Sequence, residues 1–440
     1  MAIEDETDSL IPKSETTDEA EPLGGFFFLG FVANLAFNYL LQEVKFFNDV
    51  FGPQFGRWAP TFFSGSTFLG QILMLFFGSM IPYGVRIVGS CLVLSGTIIA
   101  IPLMAWFHMT AHINIVYANI VVMGLMTAVV NSSGFSLTSL CSAKIRIHYT
   151  VGTCLAGVTA WPCMIMVGLV LRKIFRMSSE RLDPNVPNKA EVLTCVIVLG
   201  SATILYLVAA VYYMVGLSSA QATRQAIGTL EEKKRKSADQ KVDWYGFWST
   251  VLAVLPLAAA AWNVMFTTFL VLPSQMVEWK ATYNYRIKIA NFYEEFVLFW
   301  FNVCDATGRG ISLYFFELLP VHVIAGSCAR WILLPFFFLS TAKILFFHND
   351  IFRLVLQGSF GLSYGILTTW AFALAPVQPG VKSENADIAG SLMSFIVVFG
   401  IMVGAGIAGP VAAGIDSTLN FRPYDAIKTS TGFAMNEIIH

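Results

Sequence analysis

Long apolar runs separated by short polar breaks organise this chain. The runs fall near 24–47, 59–81, 86–107, 113–140, 150–171, 192–217, 247–272, 292–316, 321–345, 351–375 and 387–411. Each is about the 20 residues that a helix needs to cross a bilayer. None shows the continuous polar face that a soluble amphipathic helix keeps toward water. The pattern predicts an all-α polytopic membrane protein with about eleven transmembrane helices. A polar stretch at 218–246, with Glu231, Glu232, Lys233, Lys234, Arg235 and Lys236, reads as a solvated loop and divides six spans from five. The expected organisation is a cytoplasmic acidic tail over 1–22, a six-helix bundle over 23–217, a central cytoplasmic loop over 218–246, a five-helix bundle over 247–413 and a polar tail over 414–440. A second polar break lies at 276–291.

Composition agrees with this class. The 440 residues are 56% hydrophobic and 12% charged, about half the charged share of an ordinary soluble domain. A net charge of −1 offers no basic surface to a nucleic acid. Lys and Arg fall almost evenly on the two sides of the spans, and the concentrated cluster Lys233–Lys236 favours a cytoplasmic central loop and N-terminus. The seven cysteines, from Cys91 to Cys328, lie in or beside apolar runs and read as buried thiols, with neither a disulfide framework nor a metal site expected. The sequence has no phosphate-binding G-x-x-x-x-G-K-[S/T], no H-E-x-x-H and no G-x-S-x-G elbow. No enzyme activity and no cofactor are expected. Energy for movement then comes from a gradient of the solute or of an ion.

Polar residues inside apolar runs carry the functional signal, because an ionisable group in a span is costly to keep there. In the eighth run Asp305 and Arg309 stand four apart on one helix face and can pair, and Asn302 extends that face. Such a pair offers hydrogen bonds to a polar solute, or it is an internal bridge locking two helices. Asn34, Asn38 and Gln42 form an amide stripe in the first run, suited to a ligand that both donates and accepts hydrogen bonds, or to helix contacts worth about 0.6 kcal/mol each. Glu43 and Lys45 just beyond read as interfacial residues snorkelling at the span end. Asn131, Ser132 and Ser133 add polar positions to the fourth run. Arg330 is another charge within a span and is expected to find a partner in a neighbouring one. Asp305 and Glu43 are the carboxyls available for proton coupling. Gly400, Gly404 and Ala405 make a small-residue packing face, and Pro162, Pro256 and Pro335 are expected to kink their helices. Glu6, Leu10 and Ile11 fit an acidic dileucine pattern that a sorting adaptor reads, which brings an endosomal or lysosomal membrane in as the alternative to the plasma membrane.

These residues together resemble the equilibrative nucleoside transporter family (solute carrier 29-like). Phe301-Asn302…Asp305…Gly308-Arg309 is similar to its F-N-x-x-D-x-x-G-R signature, and Ile81-Pro82…Val85-Arg86-Ile87…Gly89-Ser90 to its I-P-x-x-V-R-I-x-G-S segment. Ala329-Arg330 with Pro335 and Asp387-Ile388-Ala389-Gly390 resemble two further segments. The resemblance implies a fold akin to the major facilitator type, alternating access and nucleoside substrates, with nucleobases as the alternative cargo. It matches Asp305 and Arg309 to a pair that contacts ribose, Asn302 to a neighbour on that face, Asn38 to the first-span asparagine and Asn131 to a glutamine that reads the base. Arg86, Arg330, Pro335, Gly400 and Gly404 are expected in structural or gating roles. Phe37 stands where the family usually has tryptophan, and Tyr364 where it usually has asparagine. Phe266-Thr267-Thr268-Phe269-Leu270 and Tyr364-Gly365 look like protozoan members of the family.

Overall fold

In hydrocarbon every backbone N–H and C=O has to be satisfied within its own segment, so the apolar runs fold as helices. The computed structural model describes residues 21–52, 55–107, 113–174, 189–237, 244–272, 279, 293–314 and 318–418. The first half contains α1 (Leu23–Ala33), α2 (Leu35–Gln42), α3 (Val44–Phe51), α4 (Phe55–Phe77), α5 (Tyr83–Trp106), α6 (Ile113–Ser139), α7 (Ala143–Ile174) and α8 (Lys189–Tyr212). After α9 (Gln221–Ser237), the second half contains α10 (Trp244–Val271), α11 (Tyr293–Tyr314), α12 (Pro320–Ala329), α13 (Leu334–Thr341), α14 (Asp350–Leu374) and α15 (Ala386–Thr418). No strand occurs among the described residues.

Nine spans among the described residues are long and apolar enough to cross a membrane, and the bent pair α1–α2 makes ten. The eleventh predicted span is α11. Its 22 residues are about 33 Å long at 1.5 Å per residue, and its charged positions hold its apolarity down. The third-from-last span is broken by a 3₁₀ turn at Arg330–Leu333, with Pro335 opening α13 behind it. Pro162 and Pro256 stay inside continuous helices.

Two expectations need correction. The first run is not one helix: α1 and α2 meet at a 43° bend at Asn34. The bend is held by tertiary contacts, described below, that a run of apolar residues does not advertise. The stretch after residue 217 is not all loop, because α9 buries Thr223, Ala226 and Leu230 while Arg224, Glu231 and Glu232 face out. That amphipathic face packs on α6 and on the short turn at Ser383–Asn385 before α15. Residues Glu6, Leu10 and Ile11, most of the 276–291 break and the chain after 418 lie outside the described residues.

Buried apolar side chains gather in one cluster from the first half, around Phe26, Tyr149 and Tyr206, and two from the second, around Trp370 and around Phe337 and Phe360. The halves meet where α15 lies against α4 and α6, and where α7 lies against α11 and α14. Between the halves Phe135 of α6 stacks on Phe372 of α14 at 4.0 Å, and Gly390 of α15 is fitted against Phe135 and Ser139.

Candidate substrate site

Asp305 and Arg309 lie one turn apart on α11, as their spacing requires, and both are buried. The pair is bidentate: Arg309 Nε donates to Asp305 Oδ1 at 2.7 Å and Nη2 to Oδ2 at 3.2 Å. A fork-to-fork pair of this kind is the strong form of the interaction. The remaining nitrogen leaves the helix. Arg309 Nη1 donates to the Thr150 carbonyl at 2.9 Å and to Thr153 Oγ1 at 3.1 Å, both on α7. One guanidinium therefore ties the second half of the molecule to the first. Gly365 of α14 makes room for this, since a Cβ there would run into the Asp305 backbone. Asn302, half-buried one turn from Asp305, lies over Gly157 of α7, where α7 and α11 approach closely.

Thr153 joins that pair to a second group. Its carbonyl accepts from Asn34 Nδ2 at 3.3 Å. Asn34 Oδ1 accepts from Asn131 Nδ2 at 3.2 Å, and the same amide donates to the Ala33 carbonyl at 3.2 Å. Ala33 is the last residue of α1, so Asn131 caps a carbonyl at the break in the span. Broken helices with polar partners at their ends are a usual way to build a polar site within a membrane. Asn38 Nδ2 donates back to the Asn34 carbonyl at 2.9 Å, leaving its half-buried side chain beside the group. The structure thus brings Asn38, Asn131, Asp305 and Arg309 into one chain of contacts crossing α6, α1–α2, α7 and α11, with Asn302 at its edge.

Three members of that chain are not singled out by the sequence as individual site residues. Asn34 is visible only as part of the amide stripe. Thr150 and Thr153 give no signal, because one contributes a backbone carbonyl and threonine is ordinary in such helices. Gln42 stands apart from the network: it is buried, and its Oε1 has no hydrogen-bond partner. Glu43 corrects an expectation, because it is 4% exposed and does not snorkel at an interface. Packing of α7 and α8 over the end of α2, which sequence alone does not show, decides that burial. The Lys45 side chain lies outside the described residues.

The remaining expected positions are placed as follows. Arg86 lies 4.0 Å over the ring of Tyr83, whose hydroxyl shares a 2.6 Å hydrogen bond with Ser136 of α6. Arg330 is buried and its hydrogen bonds go to neutral groups, with Asp305 in electrostatic range but not bonded to it: it donates to Thr268 Oγ1 at 2.7 Å, to Thr267 Oγ1, to the Phe360 carbonyl at 2.9 Å and to Ser363 Oγ. Its partners do lie in neighbouring spans, α10 and α14. Gly400 and Gly404 fit α15 against α10, where a Cβ would meet Trp262 O at 2.8 Å and Phe266 O at 2.7 Å respectively. Tyr364 stands between the two arginines, 5.6 Å under the Arg309 guanidinium, with its hydroxyl on Met265 Sδ at 3.2 Å. Phe37, at the position the resemblance assigns to tryptophan, stacks on Phe63 at 5.0 Å.

Residues 117–409 match the sequence model of the family described as Nucleoside transporter. This chain belongs to the nucleoside transporter family. Among curated members, equilibrative nucleoside transporter 2 of Mus musculus is 31% identical over 120 residues, covering 24% of this chain and 25% of the relative. Its Rattus norvegicus counterpart is 27% identical over 195 residues, 41% of this chain and 40% of the relative. Nucleoside transporter 1 of Crithidia fasciculata is 26% identical over 121 residues, 26% of this chain and 24% of the relative. This family member thus spans between about a quarter and two fifths of the curated relatives it matches. Those relatives are transporters, not enzymes. The major facilitator proton:xylose symporter XylE, bound to 6-bromo-6-deoxy-D-glucose, shares the fold: TM-score 0.56 at 13% identity, covering 90% of this chain and 95% of that one. A double-tryptophan form of XylE gives 0.57 at 12% identity, covering 90% and 94%. The protein is an integral membrane protein of major-facilitator-like fold.

Proposed function

We propose that this family member carries nucleosides across the membrane by alternating access, with the sugar hydroxyls bound at Asp305 and Arg309. The observation that supports this reading is the path of Arg309, paired on α11 and bonded to α7 in the other half. A ribose hydroxyl both donates and accepts, and so matches a carboxylate beside a guanidinium. A ligand that shares those hydrogen bonds also bears on the contact between the halves. The base is then held from the side of Asn38 and Asn131, whose amides can donate and accept, with Asn302 lining the approach. The reading puts the carrier in the plasma membrane, with an endosomal or lysosomal membrane as the alternative if the Leu10-Ile11 motif is read by an adaptor.

The test is uptake of labelled adenosine, inosine or uridine by purified protein in liposomes. Uptake is expected in the native protein and is expected to vanish in Asp305→Ala and Arg309→Ala. Intact uptake in both variants removes the site assignment. Competition by hypoxanthine against inosine separates the nucleobase alternative, since a site that needs the sugar hydroxyls ignores the free base.

A further inference from the structure

Among the described residues the carboxyls of Asp305, Asp350 and Glu43 are buried, and the first two are paired with arginines, Arg309 and Arg353. Asp305 gives both oxygens to Arg309. Glu43, at the junction of α2 and α3, is 4% exposed, and its Oε1 has no hydrogen-bond partner. The residue before it, Gln42, also has a buried Oε1 without one. The titratable groups within electrostatic range of the Glu43 carboxyl are Glu191 and Cys195 on α8 and Cys163 on α7. Cys163 in turn lies beside Tyr39 of α2 and Ser201 of α8. Among the described side chains, which exclude that of Lys45, no Lys or Arg pairs with Glu43. Glu191, the charged group within electrostatic range, has the same sign.

An ionised carboxylate in that position faces a like charge at Glu191 and leaves one oxygen without a hydrogen bond, and its burial is expensive. A neutral carboxylic acid removes the charge and gains an O–H donor. The surroundings also select among cations. Thiols and a phenol are poor ligands for a hard metal ion, which takes six or so oxygens, and no group of three His, Cys, Asp or Glu suited to a metal occurs among the described residues.

We propose that the pocket around Glu43 is a proton site, separate from the Asp305–Arg309 site, and that its proton moves with the substrate. The proton adds to a Glu43 carboxylate oxygen from water on one side of the membrane and leaves to water on the other after the halves rock. Helix α7 links the two sites: it carries Thr153 at the Arg309 end and Cys163 at the Glu43 end. The ten-residue step from one to the other spans about 15 Å. Loading Glu43 therefore bears on the same helix that Arg309 grips. The coupling part of the proposal rests on the transport reading above; the protonation part does not.

Two measurements test it. The first needs no substrate: the infrared difference spectrum of purified protein between acidic and alkaline buffer. The native protein is expected to show a buried protonated carboxyl at neutral pH that Glu43→Gln lacks. Absence of that band from the native protein, or its survival in Glu43→Gln, overturns the proton site. The second is uptake of labelled inosine into liposomes under an imposed pH gradient, acidic outside. The native protein is expected to accumulate substrate severalfold above equilibrium. Glu43→Gln is expected to keep inosine exchange at equal pH and to lose accumulation, while Glu43→Asp, which still titrates, retains part of it. Accumulation unchanged in Glu43→Gln, or accumulation driven by a sodium gradient instead, overturns the coupling. Failure of the native protein to bind or exchange inosine at all, with the infrared band present, defeats the transport reading and leaves the proton site standing.

Discussion

Arg309 and Arg330 are both buried in the second half of the chain, yet their surroundings differ. Arg309 is matched by Asp305 and reaches across to Thr150 and Thr153 of α7. Arg330 has hydroxyls, a carbonyl and the ring face of Phe360 at 3.9 Å, all within its own half. A paired charge that crosses an interface can report on a ligand and on the relation of the halves. A charge cradled by neutral groups of one half holds that half together. The difference teaches that burial and charge alone do not mark a site; the partner, and where it sits, does.

The contrast between the two arginines breaks most sharply at the ion pair itself. Removing one member of a buried ion pair strands the other, at a cost of about 3–5 kcal/mol. Asp305→Asn is therefore expected to lower thermal stability clearly and to abolish nucleoside uptake; a normal melting temperature with normal uptake denies the pair its role. The backbone behind it is the next place to press. Gly365→Ala pushes a methyl into the Asp305 backbone, and overpacking of this kind costs about 1–3 kcal/mol. Gly406→Ala, at a position with open space around it, serves as the control and is expected to change nothing. Equal melting temperatures for the two variants contradict the packing of α11 on α14.

Arg330 tests the other side. Its hydroxyl partners already bond to their own helices: Thr267 to Asn263 O, Thr268 to Val264 O and Ser363 to Phe360 O. They are not stranded when it goes. A buried charge bonded only to neutral groups gives back its desolvation cost when an apolar group replaces it, which offsets the hydrogen bonds lost. Arg330→Met is expected to shift stability by about 1 kcal/mol, less than Asp305→Asn, and to leave inosine affinity nearly unchanged. A loss of affinity equal to that of Arg309→Ala erases the distinction between the two arginines. Smallest of all, Tyr364→Phe removes only the contact with Met265 Sδ, and uptake is expected to stay within about twofold, as for one weak hydrogen bond.

Much of this arrangement is legible in the sequence, and the parts that are not share a physical cause. Run length gives the spans, since the bilayer imposes it. Asp305 and Arg309 are legible because opposite charges at i, i+4 within a span share a face and lower each other's cost of burial. The break at Asn34 is not, because α1 is stabilised there by Asn131, 97 residues away. Thr150 is silent because it offers a main-chain oxygen, which every residue has. Glu43 reads as an interfacial residue until α7 and α8 are seen to cover it. Helix α9 hides in a polar stretch because its buried face is only Thr223, Ala226 and Leu230. In each case the deciding contact lies in another element.

The central claim is that the Asp305–Arg309 pair holds the sugar. It is tested without mutation by comparing the affinity of the native protein for inosine with that for its 2′,3′-dideoxy counterpart. A hydrogen bond to a charged group is worth about 1.5–3 kcal/mol, so losing even one of the two makes the dideoxy compound bind on the order of ten- to a hundredfold more weakly, and losing both weakens it further. Equal affinity for the two compounds contradicts the account.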